Sequence, residues 1–204
     1  MKTLLKVKIG CAALKALKKE LTVREIIKIL PALTKMKQKG EPFGHLSAPE
    51  SEKDKESRAL IADAILLYRA LCAFKLQPDA ERITRNVIIE SAVAQLKYLV
   101  PIIGKKELAA LTEEKKRLKF CGIVAKFPNA DYRIVKAEGK EYHYDITRCR
   151  LVELIVAAGH PELKDAFCAG DGLFFTAYQP EILFGRESTI GEGKDTCEFR
   201  FNIK

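Results

Sequence analysis

The sequence predicts an α+β fold: N-terminal helices packed on a C-terminal antiparallel sheet built from hairpins, with two inserted helices. Three observations carry this expectation. Apolar side chains recur at helical spacing through roughly the first 119 residues. Beyond them the chain turns rich in aromatic and β-branched residues. The strands come as hairpins, around "AEGKE" and "GEGKD", with no βαβ crossover.

Taken in order, residues 1–40 form a basic amphipathic helical arm. Leu14, Leu17 and Leu21 keep helical spacing, and Ile26, Ile27, Leu30 and Leu33 continue it past Thr22, an expected N-cap whose capping box is completed by Glu25. Pro31 is expected to kink or interrupt this second helix. Residues 41–57 concentrate Gly, Pro, Ser and charge and read as a linker. A single α+β domain follows over 58–204, helical over 58–119 and sheet plus helices over 120–204. Arg58 to Leu76 is apolar around much of its circumference, and so is the stretch after Pro78, which predicts two central helices packed on each other. Leu108 to Lys119 reads as one more helix. Tyr132 to Val135 and Tyr142 to Ile146 flank the first hairpin turn. Helices over Arg150 to Ala158 and Pro161 to Tyr178 come next, with Gly159 as a C-terminal stop and Pro161 at a first helical position. Strands over Ile182 to Ile190 and Thr196 to Ile203 close the chain.

The net charge of +9 is not spread evenly: residues 1–40 hold eleven Lys and Arg against Glu20 and Glu25, and the remainder balances. The simplest reading of the arm is a helix docked on the body with solvated lysines; peripheral membrane or protein contact is the sharper one. No aromatic residue interleaves its lysines, so no clear nucleic-acid pattern is present. Lysine also breaks every apolar stretch of the arm, which leaves no secretory core, and no run reaches the roughly 18 apolar residues of a membrane span. A cytoplasmic location is expected, with six cysteines and no CxxC pair held reduced. Walker, GxGxxG, HExxH and GxSxG patterns are absent, which excludes the common cofactor and hydrolase signatures.

Chemistry concentrates in the last third of the chain. Cys197 alternates with Thr196 and Glu198 and shares the apolar face of Phe199, Phe201 and Ile203. Cys168 and Asp171 lie three apart, on one side of a helix. Cys149 stands where a strand enters a helix, beside Arg148 and Arg150, and reads as the most thiolate-prone of the six. A single buried cysteine is ordinarily a small apolar filler, and only the accompanying set argues otherwise. Arg186 is a candidate grip for a substrate carboxylate, although a solvated pair with Glu187 or Glu198 is the plainer reading. His143 alternates with Tyr142 and Tyr144 and is a candidate proton carrier.

The segment from Asp145 to Phe201 resembles the family named after L-2-amino-thiazoline-4-carboxylic acid hydrolase. The resemblance rests on Cys149 opening a helix, the Gly159 to Leu163 turn, Cys168 with Asp171, the Thr189, Ile190 and Gly193 turn, and the closing Cys197 and Phe199. It implies hydrolysis of a cyclic amidine or other non-peptide C–N bond of a small molecule by a cysteine and aspartate cluster. Cys149, Cys168, Asp171 and His143 are then the catalytic candidates, and Arg186 and Thr189 the substrate-binding ones. Two arrangements stay open: a Cys149 or Cys168 thiolate as nucleophile, or Zn²⁺ held by Cys149, Cys168 and Cys197 and activating a water. The cofactor expectation is therefore zinc or none. The same segment more distantly resembles four-vinyl-reductase-type ligand-binding domains, which implies a non-catalytic small-molecule or metal sensor.

Overall fold

In the computed structural model, residues 3–75, 77–127 and 130–204 are described. The expected helix end at Leu76 and the sheet entry at Pro128 and Asn129 lie outside them. Six helices precede the sheet: α1 (Thr3–Glu20), α2 (Val23–Gln38), α3 (Glu52–Cys72), α4 (Gln77–Leu99), α5 (Lys105–Ala110) and α6 (Glu113–Val124). Strands β1 (Ala130–Glu138) and β2 (Glu141–Cys149), helix α7 (Arg150–Ala157), a 3-10 turn (Pro161–Leu163), helix α8 (Ala166–Tyr178), strand β3 (Ile182–Gly185), a second 3-10 turn (Ile190–Glu192) and strand β4 (Cys197–Ile203) complete the α+β arrangement. The four strands lie in the order β1-β2-β4-β3, every neighbouring pair antiparallel. Among the described residues no helix is long and apolar enough to cross a membrane.

The capping box of α2 forms as read: Thr22 Oγ1 accepts the Glu25 amide, and Glu25 accepts the Thr22 amide. Pro31 does not interrupt α2. Ile27, the residue one turn back whose carbonyl loses the Pro31 donor, is itself exposed, so water can satisfy it. α3 begins six residues before the expected Arg58, because the Ser51 side chain accepts the Asp54 amide and Glu52 and Asp54 favour the helix N-terminus. The expected Leu108–Lys119 helix is instead two, divided at Leu111 and Thr112, where Thr112 caps α6. α6 runs on through "FCGIV", read as the start of the sheet region, and buries Phe120, Ile123 and Val124.

Two cores share α4. Its first half, with Ala80, Ile83 and Val87, packs with α1, α2, α3 and α7. Its second half, with Val93 and Leu96, joins α6, α8 and the inner face of the sheet. That inner face carries Tyr142, Tyr144 and Ile146 from β2 and Cys197, Phe199 and Phe201 from β4, with Ile146 opposite Cys197. On the outer face the Asp145 carboxylate pairs with both Arg133 and Arg200.

Candidate functional site

Where the two cores meet, a cavity of about 100 Å³ opens. Its walls are mostly apolar, from Leu60 of α3, Ala92 and Leu96 of α4, Phe127, and Phe199 of β4. The exceptions matter: Cys149, Cys168, Asp171, Arg186, Cys197, Gln95 and Lys126 all reach its lining. Three elements supply the thiols and the carboxylate. Cys149 ends β2 and caps α7, α8 carries Cys168 and Asp171 one turn apart, and β4 opens with Cys197, while Arg186 follows directly on β3.

Cys168 and Cys197 act as a pair. The Cys168 thiol donates to Cys197, which pushes the Cys197 pKa down to about 7. Burial opposes this; the Ile190 amide, donating to Cys197 Sγ at 3.2 Å, and the Arg186 guanidinium reinforce it. The same hydrogen bond, then burial, pushes Cys168 up. Of the two thiols, Cys197 is therefore the one that gives up its proton first.

The backbone that delivers the Ile190 amide is fixed by Thr189. This buried threonine caps the 3-10 turn, accepting the Glu192 amide at 3.0 Å and donating to the Glu192 carboxylate at 2.8 Å. Gly191 lets that turn approach: a Cβ there would stand 3.0 Å from Asp165 Cα and 3.2 Å from Cys168 Sγ.

Asp171 faces the cavity with no hydrogen-bond partner among the described residues. Desolvation lifts its carboxyl to about 7, against the partial pull of Arg186. Arg186 is held by its Nη2, which donates to the Cys168 carbonyl at 2.9 Å, and its guanidinium lies near the Phe184 and Phe199 rings, 5.8 and 5.7 Å from their centroids. Its Nη1 is buried without a partner among the described residues. The expected pairing with Glu187 or Glu198 is not made; Glu198 pairs with Arg200. A buried, unpaired guanidinium nitrogen costs free energy until an acceptor meets it.

A family model described as L-2-amino-thiazoline-4-carboxylic acid hydrolase matches residues 52–201. The chain belongs to this family. In this member of the hydrolase family the match runs from the first turn of α3 into β4 and contains every residue lining the cavity. Comparison with curated proteins and with solved structures returns no match.

Of the residues singled out in the sequence, Cys149, Cys168, Asp171, Arg186 and Cys197 come together in this hydrolase-family chain. His143 does not: it lies on the outer face of β2, 3.2 Å from Asn202, while the thiols lie on the inner side of the sheet. Thr189 is buried as a turn cap and does not line the cavity. Cys149 is not the thiolate-prone cysteine. Burial pushes it up to about 11, and its flanking arginines are engaged elsewhere: Arg148 pairs with Glu153, and Arg150 with Glu153 and Asp54. Among the described residues no three His, Cys, Asp or Glu side chains are grouped closely enough to hold a metal ion. No step below passes through a metal.

Gln95 and Lys126 are polar lining residues that sequence reading missed; Lys126 lies past the end of α6 and donates to the Leu99 carbonyl, and Gln95 sits on α4. The signal for Gln95 was a polar residue at i+3 from Ala92 and i−4 from Leu99, on a face otherwise apolar.

Proposed function

We propose that this chain hydrolyses a small cyclic amidine bearing a carboxylate, with Cys197 as nucleophile, Asp171 as proton carrier and Arg186 as carboxylate anchor. One observation carries the reading: a lowered-pKa thiol, a raised-pKa carboxyl and a buried unpaired guanidinium nitrogen line one mostly apolar cavity. Apolar walls strengthen each of these polar interactions by excluding water.

In the reaction, Cys197 Sγ adds to the amidine carbon while the Asp171 carboxyl delivers its proton to the ring nitrogen. The ring carbon–sulfur bond then breaks, its electron pair leaving on the ring sulfur as a thiolate, and an isothiourea adduct remains on Cys197. The Asp171 carboxylate regains its proton from an incoming water, whose oxygen adds to the same carbon. The tetrahedral centre collapses to a carbamoyl C=O, expelling Cys197 as thiolate and passing the water's second proton to the ring-derived thiolate, so one water is consumed and both groups return to their starting states. Cys168 donates its hydrogen bond to Cys197 in both resting states, and Gln95 offers an amide to the substrate's exocyclic nitrogen.

The test is incubation with L-2-amino-thiazoline-4-carboxylic acid, followed by mass spectrometry for a product heavier by one water. Loss of a catalytic nucleophile typically costs several powers of ten, so C197A should fall by at least about 1,000-fold. Turnover undiminished in both C197A and D171N would overturn the reading. A ligand that copurifies with the chain and is never turned over would favour the sensor alternative. Metal analysis of protein purified without chelator belongs to the same experiment; stoichiometric zinc lost in C197A would replace the thiolate by a metal-bound water.

A further inference from the structure

Helices α1 and α2 bury one side each against the body, through Leu5 and Ala16 of α1 and Ile29 of α2. Each also carries a second apolar row that is exposed among the described residues. On α1 the row is Leu4, Val7, Cys11 and Leu14; on α2 it is Val23, Ile27 and Leu30, both at the spacing of one helix face. The six aliphatic residues are exposed, from Leu14 at 44% to Val23 at 63%.

Lysine and arginine border these rows. Lys15 of α1 and Arg24, Lys28 and Lys35 of α2 are exposed and have no carboxylate partner among the described residues. The arm's two acids are turned inward. Glu20 accepts from Arg82 and Asn86, and Glu25 accepts from Lys75 and the Thr22 amide. The outer surface of residues 3–40 therefore combines apolar rows with one sign of charge.

We propose that this surface docks on an anionic lipid membrane, the aliphatic rows entering the interface and the basic side chains meeting headgroup phosphates. The reading concerns the arm and is independent of the hydrolase reading. A second copy of the chain would bring positive charge against positive charge, and a nucleic acid would find no aromatic residue to stack on in this arm. Neither uses the aliphatic rows and the charge together as an anionic bilayer does.

Full-length protein is sedimented with phosphatidylglycerol/phosphatidylcholine vesicles and with phosphatidylcholine vesicles alone. Binding to the first and not the second is expected, weakening with salt. V23S/I27S/L30S should reduce partitioning about tenfold, and K15Q/R24Q/K28Q/K35Q on the order of 100-fold. All seven positions are exposed, so unchanged melting curves should accompany both losses. Failure to bind anionic vesicles overturns the proposal. So does binding insensitive to the aliphatic substitutions, which is adsorption of a polycation, and so does a dimer in solution that V23S/I27S/L30S breaks, which assigns the rows to a second copy.

Discussion

At the scale of single residues, the site turns on which group holds a proton. Cys168→Ala removes the thiol hydrogen bond that leads the lowering of Cys197, so the pH at which Cys197 becomes reactive to iodoacetamide should rise from about 7 toward the ordinary value of 9. An unshifted profile in C168A would refute the pairing. Asp171 gives a second, oppositely signed prediction. Its carboxyl is raised from 3.8 to about 7 in the folded chain, so stability is fullest below about pH 4 and is lost as pH rises through about 7. Asp171→Asn has no such dependence. In urea titrations the two proteins should match near pH 4, while D171N should be the more stable near pH 9, by at most on the order of 4 kcal/mol since cavity water screens the charge. Much of this cluster was legible in the sequence: strand alternation placed Cys197 inward, and helical spacing joined Cys168 to Asp171. The identity of the thiolate was not, because it depends first on the Cys168 thiol donating across to Cys197 and then on the Ile190 amide and Arg186, contacts between elements that neither spacing reveals. Cys149 misled for a similar reason. Arginines adjacent in sequence act on a thiol only if no carboxylate claims them, and Glu153 and Asp54 do.

At the scale of elements, the position of α8 fixes the distance from the Cys168 and Asp171 pair to β4. α8 lies against α4 at Gly170, where an added Cβ would stand 2.6 Å from Ala92 Cβ. Gly170→Ala must push the two helices apart, at a cost of about 1–3 kcal/mol, and should lower Cys197 reactivity by moving Cys168 away from it. Ala92→Gly in the same chain removes the opposing methyl. It should restore the Cys197 profile even though glycine inside α4 keeps a penalty of about 1 kcal/mol. A profile that G170A leaves untouched, or that the double variant does not recover, would separate α8 placement from thiol chemistry. Elements were legible where periodicity was strong, as in α3, α4 and the two hairpins. α6 was cut short because the β-branched and aromatic composition of "FCGIV" was weighed above the helical spacing of Phe120, Ile123 and Val124. The strand expected to reach Ile190 stops at Gly185, since Thr189 caps a turn there in place of a ladder.

At the scale of the whole molecule, the arm lies outside the family match yet inside the core. Ala16, Leu21 and Ile29 belong to the same buried cluster as Ile61, Ile65, Ile83 and Val87, and Leu5 is buried as well. Polar contacts follow the same seam: Lys19 with Glu90, Glu20 with Arg82, Glu25 with Lys75 and Lys37 with Asp63. The basic composition of residues 1–40 was legible as an amphipathic arm, but its depth of burial depends on which faces of α3 and α4 are left open, and that is a property of the assembled helices. Burying a Leu or Ile side chain is worth about 1.5–3 kcal/mol, so Leu5, Leu21 and Ile29 together contribute about 4.5–9 kcal/mol as an upper figure. A whole domain is stable by only about 5–15 kcal/mol. Deleting residues 1–40 should therefore lower the thermal midpoint steeply and expose the apolar faces of α3 and α4 to aggregation, and light scattering during a melt would register it. A truncated chain that melts at the full-length temperature would show that α4 joins the two cores without the arm. The expected collapse has a practical consequence: the arm's surface chemistry must be probed by substitution at exposed positions, because a deletion would take one of the two cores with it.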